Sequence, residues 1–405
     1  MTKPPYKQTS IGLIPTDWEV KKLGELVDII SGNSPSDFSL SEIGKYPYLK
    51  VEDLNNNYKY QYSSREFTND EYKNLVLINS LIFPKRGAAI LNNKIRISKT
   101  DCYLDSNLMA LKISESKSLD LEYLYYKILD VQLFKIADTS SIPQLNNKHI
   151  LPFVLAVPPL PEQQKIAEIL STWDKAIQET GLLLKKIEVR NKALAFSLLT
   201  GKKRVKGFEG KWEIKNFGKI ISRVTKKNEE LDDTVVTISA KRGFILQEDF
   251  FNKRVASDTL SGYYLLEKGQ FAYNKSYSNG YPMGVFKRLN DFDKAVVTTL
   301  YICFELKENI CSDFMVHYFD NGLMNTNLIK IAKEGGRAHG LLNIGIEDFM
   351  NLKITMPSLE EQTAIAEILN TAQQELKQYQ EKLKSLQQQK KGLMQQLLTG
   401  KIRTV

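Results

Sequence analysis

The sequence contains one 45-residue segment twice. Residues 158–202 align without a gap on residues 357–401, at an offset of 199 residues, and 19 of the 45 aligned positions are identical. Each copy follows a longer segment that opens on a tryptophan, Trp18 in the first half and Trp212 in the second. A duplication on this scale predicts two related units, each made of a globule followed by the repeated segment.

Each copy of the repeat has the start and stop signals of one long helix. The first copy begins at Pro159-Leu160-Pro161-Glu162. Proline suits the first turn of a helix, because the N–H groups there have no acceptor within the helix and the missing N–H of proline costs no hydrogen bond. In the second copy Ser358 is a candidate N-cap, and Glu361 is placed to complete a capping box. Both copies end in Leu-Leu-Thr-Gly-Lys, which predicts left-handed C-caps at Gly201 and Gly400.

The apolar positions of both copies alternate in steps of four and three residues, the spacing of a coiled coil. This seam comprises Ile166, Leu170, Trp173, Ile177, Thr180, Leu184, Ile187, Asn191, Leu194 and Leu198 in the first copy, and Ile365, Leu369, Ala372, Leu376, Tyr379, Leu383, Leu386, Lys390, Leu393 and Leu397 in the second. Asn191 and Lys390 occupy the same repeat position, where a polar residue fixes the register. Either each seam packs on its own globule or the two helices pair within the chain. The narrow seam between charged flanks favours antiparallel pairing.

The remaining segments predict mixed α/β globules. Strand candidates are Leu75–Ile78, Val235–Ile238 and Val296–Ile302, and helix candidates are Leu121–Ile136 and Asp313–Ile331. We therefore expect an α/β (mixed α+β) tandem duplicate with four parts: a globule at 1–157, a helix at 158–202, a second globule at 203–356 and a second helix at 357–405. Two long antiparallel helices would separate the globules, related by a pseudo-twofold axis.

Composition narrows the classes of function. The formal net charge of +9 is compatible with a polyanionic partner. Three cysteines without C-x-x-C spacing, a polar N-terminus and the lack of a long apolar run predict a cytoplasmic protein that does not bind a membrane. Phosphate-loop, methyltransferase and metal-ligand motifs are also missing from the sequence. We expect no catalytic residue, no metal site and no cofactor in this chain, although a cryptic enzyme site is a rival reading.

Two loops in each globule carry side chains that suit nucleic acid. Arg and Lys can bind guanine O6 and N7, and Asn and Gln can bind adenine N6 and N7. The candidates in the first globule are Lys85, Arg86, Ser140, Ser141, Gln144, Asn147 and Lys148. Those in the second globule are Lys275, Tyr277, Asn279, Arg337, His339 and Asn343. A single residue of this kind more often belongs to an ordinary polar surface loop, but the set of loops in a duplicated architecture favours contact with nucleic acid.

The order of these motifs resembles the specificity subunit of type I restriction–modification enzymes. The opening Ile11–Gly24, the helix start Pro159-Leu160-Pro161-Glu162-Gln163-Gln164 and the Leu-Leu-Thr-Gly-Lys ends are similar to that family over essentially the whole chain. The second opening, Gly207–Trp212, departs from the pattern because it lacks the Ile-Pro turn.

The resemblance implies a non-catalytic DNA-recognition subunit. Each globule would be a target recognition domain that reads half of a bipartite double-stranded DNA target, and the helices would set the spacer between the half-sites. Two methylation subunits would dock on the helices and methylate adenine with S-adenosylmethionine, and two restriction subunits with ATP and Mg would complete the complex. The alternative is a coiled-coil scaffold that binds proteins without sequence-specific DNA recognition.

Overall fold

The structure is a computed structural model of the 405-residue chain. It describes residues 5–55, 58–114, 118–138, 142–251, 259–277, 280–332, 340 and 342–404. The chain forms two compact units: unit 1 comprises Met1–Gly181 with Lys382–Val405, and unit 2 comprises Leu182–Glu381. Each unit therefore combines one globule with the beginning of one long helix and the end of the other.

Unit 1 is built mainly from short strands. They are β1 (Tyr6–Thr9), β2 (Gly12–Pro15), β3 (Glu19–Lys22), β4 (Val27–Ser31), β5 (Tyr46–Leu49), β6 (Tyr60–Gln61), β7 (Glu66–Thr68), β8 (Leu81–Pro84), β9 (Arg96–Ser98), β10 (Tyr103–Leu104), β11 (Leu108–Ile113) and β12 (Val154–Val157). Helices α1 (Leu121–Val131) and α2 (Asn147–Ile150) lie between β11 and β12. The largest sheet has the order β4-β11-β8-β9-β6, and β3 pairs with β12. Strand β8 is apolar and buried along its whole length, as expected for an internal strand.

Unit 2 repeats this plan with different side chains. Its strands are β13 (Glu213–Asn216), β14 (Ile221–Arg223), β15 (Val236–Ser239), β16 (Gly243–Leu246), β17 (Tyr264–Glu267), β18 (Phe271–Asn274), β19 (Val285–Arg288), β20 (Lys294–Val297), β21 (Ile302–Leu306) and β22 (Lys353–Met356). The helices of its globule are α4 (Gln247–Phe251), α5 (Ser312–Asp320), α6 (Asn325–Ile331) and α7 (Ile346–Met350). The two long helices, each divided between the units, are α3 (Leu160–Leu199) and α8 (Leu359–Leu397). The sheet order β14-β21-β18-β19 matches β4-β11-β8-β9 of unit 1, and β13 pairs with β22 as β3 does with β12.

The two long helices confirm the helices predicted from the repeat. Gly201 and Gly400 follow their ends with φ values of 70° and 71°, in the left-handed region that glycine adopts without strain. Every predicted seam residue is buried or half-buried. A seam of this kind is stabilised by contact with other apolar surface, because each fully buried Leu or Ile contributes about 1.5–3 kcal/mol.

The helices run antiparallel within each unit. In unit 1 the Lys390 ammonium pairs with the Asp174 carboxylate, and both side chains are buried. In unit 2 the amide of Asn191 donates to the carbonyl of Ala372 at 2.8 Å. Lys390 and Asn191 are therefore each satisfied by the opposite helix, which agrees with a role in fixing the register.

Each globule packs its core on the same two helix ends. In unit 1 the core includes Ile166 and Leu170 near the start of α3 together with Leu397 and Leu398 at the end of α8. The core of unit 2 includes the residues 199 positions away from these: Ile365, Leu369, Leu198 and Leu199. The most similar parts of the repeat are thus those that form the helix–globule contacts.

A buried glutamate at the start of α3 ties together distant segments of unit 1. Glu162 accepts hydrogen bonds from Nε1 of Trp18 at 2.9 Å and from Arg403, whose Nε and Nη2 lie 2.7 and 2.8 Å from its two oxygens. Arg403 also binds Asp17. The Glu162 side chain is fully buried, so the arginine supplies the counter-charge that a buried carboxylate needs.

Unit 2 contains the same arrangement, which corrects one prediction. Glu361 accepts hydrogen bonds from Nε1 of Trp212 at 3.1 Å and from Nε and Nη2 of Arg204 at 2.6 and 2.7 Å. The predicted capping box is therefore wrong in its second half: Ser358 accepts the N–H of Glu361 at 3.4 Å, but the Glu361 carboxylate binds residues distant in sequence. We call each Trp–Glu–Arg set a clamp.

Several predicted elements have other bounds. Leu75–Ile78 is not a strand, because only Val76 forms a bridge, to Cys102. The candidate Val296–Ile302 is divided between the end of β20 and the start of β21. The candidate Asp313–Ile331 is divided into α5 and α6, between which Gly322 has a φ of 69°. In both of these candidates, a turn divides what the sequence predicts as one element.

The part of the chain that the structure describes has no helix long and apolar enough to cross a membrane. In those same residues, no three His, Cys, Asp or Glu side chains are grouped as the ligands of a metal ion would be.

Candidate nucleic-acid interface

In unit 1, two of the predicted contact loops are joined by backbone hydrogen bonds. Strand β8 ends at Pro84, and the carbonyl of Lys85 then accepts the N–H of Leu145 at 2.8 Å. The N–H of Gly87 donates to the carbonyl of Pro143 at 2.8 Å. Arg86 and Gln144, which lie between these bonded residues, form a β-bridge. We call this arrangement the loop pair of unit 1.

Unit 2 has a loop pair at the matching place. Strand β18, which takes the position of β8 in its sheet, ends at Asn274. The carbonyl of Lys275 accepts the N–H of Leu342 at 3.0 Å, and the N–H of Tyr277 donates to the carbonyl of Gly340 at 2.7 Å. Both units therefore present the residues after an internal strand beside the residues before the last helix of the globule.

The loop pair of unit 1 is basic. Lys85 is half-buried, and Arg86 and Lys148 are exposed. Burial lowers the pKa of the Lys85 ammonium, the charge of Arg86 lowers this pKa further, and Asp105 opposes the shift. Neither Arg86 nor Lys148 forms an ion pair with any residue that the structure describes. A bound phosphate would relieve the repulsion between Lys85 and Arg86.

One protein family matches the chain twice: the family described as the type I restriction modification DNA specificity domain. The matches cover residues 15–189 and 207–388, so they include most of the chain and both loop pairs. The chain belongs to this family. The resemblance inferred from the motifs is thereby confirmed.

Curated relatives of this specificity-domain protein are found in Methanocaldococcus jannaschii. The type I restriction enzyme MjaVIII specificity subunit is 26% identical over 424 residues, which span 96% of this chain and 94% of that protein. The type I restriction enzyme MjaIX specificity subunit is 30% identical over 243 residues, which span 53% of this chain and 54% of that protein. The chain thus aligns with about half of the MjaIX subunit and with nearly all of the MjaVIII subunit.

Solved structures share the fold of this family member. The S subunit of a type I restriction–modification system from M. genitalium has a TM-score of 0.54 at 15% identity, over 98% of this chain and 99% of that chain. The HsdS subunit from Thermoanaerobacter tengcongensis also has a TM-score of 0.54 at 15% identity, over 99% and 100% of the two chains. A structure from a study of complex assembly and conformational transition of the type I R-M system has a TM-score of 0.61 at 13% identity, over 98% of this chain and 100% of that chain.

In this specificity-domain chain, the predicted contact residues are distributed unevenly. Lys85, Arg86 and Gln144 meet in the loop pair of unit 1, and the Gln144 amide donates to Asn146 at 3.3 Å. Asn147 and Lys148 are exposed on the short helix α2 that follows.

In unit 2, Lys275 and Tyr277 lie in the loop pair and Asn343 is exposed just beyond Leu342. The other predicted contact residues lie outside the described residues: Ser140, Ser141, Asn279, Arg337 and His339.

The prediction from sequence missed a basic hairpin turn in unit 2. Strands β15 and β16 pair antiparallel, and Lys241 and Arg242 lie exposed in the turn between them. These two side chains share one concave cavity with Tyr277 of the loop pair. The signal was present in the sequence, because a Lys-Arg-Gly turn separates two β-rich runs.

Proposed function

We propose that this chain is the non-catalytic sequence-specificity subunit of a type I restriction–modification complex. Unit 1 reads one half of a bipartite DNA target, and unit 2 reads the other half. The observation that carries the proposal is the loop pair, which recurs in both units. It follows β8 in unit 1 and β18 in unit 2, which occupy corresponding positions in the two sheets. One chain that presents this structure twice, with different side chains, suits a target with two different halves.

Charge supports the choice of DNA as the partner. The chain has a formal net charge of +9, and unit 1 places Lys85 and Arg86 side by side with Lys148 on the next helix. Phosphate contacts supply most of the affinity of such surfaces, whereas side chains that reach base edges supply specificity. Arg86 and Gln144 have the donor groups for guanine and adenine edges.

The proposal extends to partner subunits. Helices α3 and α8 dock two methylation subunits, which use S-adenosylmethionine to methylate adenine, and two restriction subunits with ATP and Mg complete the full complex. Both helices carry many exposed positions between their buried seam residues, and these positions are available for such contacts.

Long-read sequencing of DNA methylation tests the proposal. Cells that carry this chain with its neighbouring methylation subunit are compared with cells in which only this chain is deleted. We expect a bipartite motif with a fixed gap, modified on adenine, that disappears with the deletion. A motif that persists without the chain would contradict the assignment.

If no motif is found, binding of duplex DNA by the purified chain decides between the remaining functions. The logarithm of the affinity of a DNA reader falls steeply with the logarithm of salt concentration, by about 0.9 for each phosphate neutralised. A chain that does not bind DNA at low salt would instead be the protein-binding scaffold.

A further inference from the structure

Unit 2 contains a cavity of about 780 Å³ beside its loop pair. Strand β15, the β15–β16 turn, helix α4 and the residues before β21 form its walls, together with Asn274, Ser276 and Tyr277. Its volume lies within the range of about 300–1,000 Å³ that is typical of sites for small ligands and cofactors. The cavity is therefore large enough to enclose a ligand rather than a few water molecules.

The walls of the cavity are unusually aromatic. Six of the described side chains contribute: Phe250, Phe251, Tyr263, Tyr277, Tyr281 and Tyr301. Tyr277 is 60% exposed and the two phenylalanines are each 43% exposed, so large apolar rings face solvent at the rim. Tyr301 is buried at 8% exposure, and its hydroxyl lies 3.1 Å from the hydroxyl of Thr237, which fixes the ring in place. Aromatic rings left exposed around a cavity indicate that a flat, apolar group binds there.

Among the described residues that line the cavity, the charge is of one sign. Lys241 and Arg242 are the charged residues among the described residues that line it, and no carboxylate is among those residues. Within the described part of the chain, neither cation forms an ion pair. An anionic ligand would therefore gain two favourable charge interactions at the mouth of the cavity without displacing an existing partner.

We propose that this cavity binds a single nucleotide, with the base among the aromatic side chains and the phosphate at Lys241 and Arg242. A cube of the same volume has an edge of about 9 Å, whereas the major groove of DNA alone is about 12 Å wide, so an intact duplex cannot enter. The base is either swung out of the DNA that unit 2 reads or belongs to a free nucleotide. The first source rests on the proposed function, and the second does not.

Asn274 provides a polar contact for the edge of the base. Its side-chain oxygen accepts the N–H of Ser276 at 3.0 Å, which orients the amide. The amide nitrogen makes no hydrogen bond to a described residue, so it can donate to an acceptor on a base. Stacking by the aromatic rings would tolerate any base, and this amide would favour bases with an acceptor at that edge.

Binding of mismatched duplexes by the full chain tests the first source. One mismatch is moved through the second half-site of an otherwise intact target duplex, and affinity is measured by fluorescence anisotropy. A mismatch removes the cost of unpairing, so at one position we expect binding to tighten about tenfold. Replacing the same nucleotide by an abasic site should remove this gain, because no base is left to stack.

Variants assign the effect to the cavity. Tyr277→Ala and Arg242→Ala should each abolish the gain from the mismatch. The matched controls are Tyr62→Ala, which removes a tyrosine of the same 60% exposure from unit 1, and Arg65→Ala, which removes an exposed arginine from the same unit. Both controls should keep the full gain.

Calorimetric titration of the full chain with dAMP, dGMP, dCMP and dTMP tests the second source. Binding of any of these that Tyr277→Ala and Arg242→Ala weaken, without a mismatch effect, would establish a site for free nucleotides. If the chain binds its duplex target but shows neither a mismatch effect nor nucleotide binding, the nucleotide site is wrong and the proposed function stands. If the chain binds no DNA, the proposed function fails, and the titration alone decides whether the cavity binds nucleotides.

Discussion

The cationic side chains of unit 1 fall into two groups. Arg86 and Lys148 face solvent without an ion pair among the described residues, whereas Lys59, Lys127 and Lys390 are buried and hydrogen-bonded. Burying an ammonium group costs free energy that only specific partners offset, so the second group serves the fold. Of these five cations, only Arg86 and Lys148 are free to bind phosphate or base edges, so the two groups should respond differently to substitution.

Arg86→Ala should weaken binding to DNA that carries the first half-site and leave recognition of the second half-site unchanged. If Arg86 contacts a base, the loss is about 1–3 kcal/mol and specificity relaxes at one position. If it contacts phosphate, binding weakens for all sequences and the salt slope decreases by about one. Binding is measured over a salt series for targets altered in either half. Arg65→Ala, which removes another exposed arginine of unit 1, is the control and should have no effect.

Lys127 should make the stability of unit 1 depend on pH. Its ammonium donates to the carbonyl of Leu398 at 2.7 Å, and burial lowers its pKa to about 8. An unfolded lysine has a pKa near about 10.4, so between these values the unfolded state binds more protons than the folded state. The free energy of unfolding contributed by this group therefore rises as the pH increases from about 8 to about 10.4, by about 1–3 kcal/mol.

Urea unfolding from pH 7 to pH 10, followed by hydrogen exchange in residues 382–404, measures this contribution. Lys127→Met keeps the length of the side chain but should remove the rise relative to the unmodified chain. Lys175→Met, at an exposed position of α3, should retain it. Equal pH profiles for the Lys127→Met variant and the unmodified chain would contradict the assignment.

At the scale of elements, sequence predicted structure best where a pattern extends over many residues. The four-three spacing persists through about ten seam positions, and the predicted helices 158–202 and 357–405 agree with α3 at both ends and with the start of α8. Helix α8 ends at Leu397, earlier than predicted. Short apolar runs carry no comparable signal. Leu75–Ile78 has strand composition, but Leu77 and Ile78 are exposed and Asn79 has a φ of 65°, which ends the extended backbone.

Partners that are distant in sequence account for the remaining errors. Glu361 fits a capping box locally, yet Arg204 and Trp212 bind its carboxylate because folding brings them to the buried start of α8. Similarly, the residues of both contact loops were predicted, but their backbone bridges were not. The Lys241-Arg242 turn is visible in the sequence as a basic turn, but its proximity to Tyr277 exists only in the folded unit.

The clamps predict that each unit can be destabilised separately. Arg403→Met leaves the buried Glu162 carboxylate without its cation, which should cost unit 1 about 3–5 kcal/mol. Arg204→Met should also destabilise unit 2 through the buried Glu361, but to a smaller extent, because the Arg204 side chain is more exposed than that of Arg403. Hydrogen exchange resolved by peptide measures each unit, and each variant should loosen only the unit that contains the substituted clamp.

A double variant separates lost charge pairing from lost packing. With Glu162→Gln added to Arg403→Met, no charge remains buried, and Gln can still accept the Trp18 N–H. Unit 1 should recover most of its protection from exchange. If the double variant is no more stable than Arg403→Met alone, the clamp stabilises the unit through packing rather than through charge.

At the scale of the whole molecule, the duplicated chain must pair its two helices with each other rather than with those of another copy. An ion pair between the two helices favours this outcome. Asp174 and Lys390 form a buried ion pair, and the residues 199 positions away from them are the neutral Gln373 and Asn191. Pairing two first-copy helices would place Asp174 opposite a neutral amide, and pairing two second-copy helices would do the same to Lys390. Either outcome leaves a buried charge without its counter-charge, which is costly.

If the paired helices also set the distance between the half-sites, shortening both should shorten the DNA spacer. Deleting residues 180–186 from α3 and 378–384 from α8 removes one heptad from each and preserves the phase of the seam. Each helix becomes shorter by about 10 Å, or about three base-pair steps of 3.4 Å. Removing three base pairs would also rotate one half-site about the DNA axis by almost a third of a turn relative to the other. This rotation opposes shortening of the spacer by the full three base pairs. We therefore expect a spacer shorter by one to three base pairs with both half-sites unchanged, as read from the methylated motif.

Deleting the heptad from α3 alone would leave part of the α8 seam unpaired, so it should reduce stability instead of giving a new spacer. An unchanged spacer in a stable double deletion would mean that the DNA or the partner subunits, rather than the helices, set the distance.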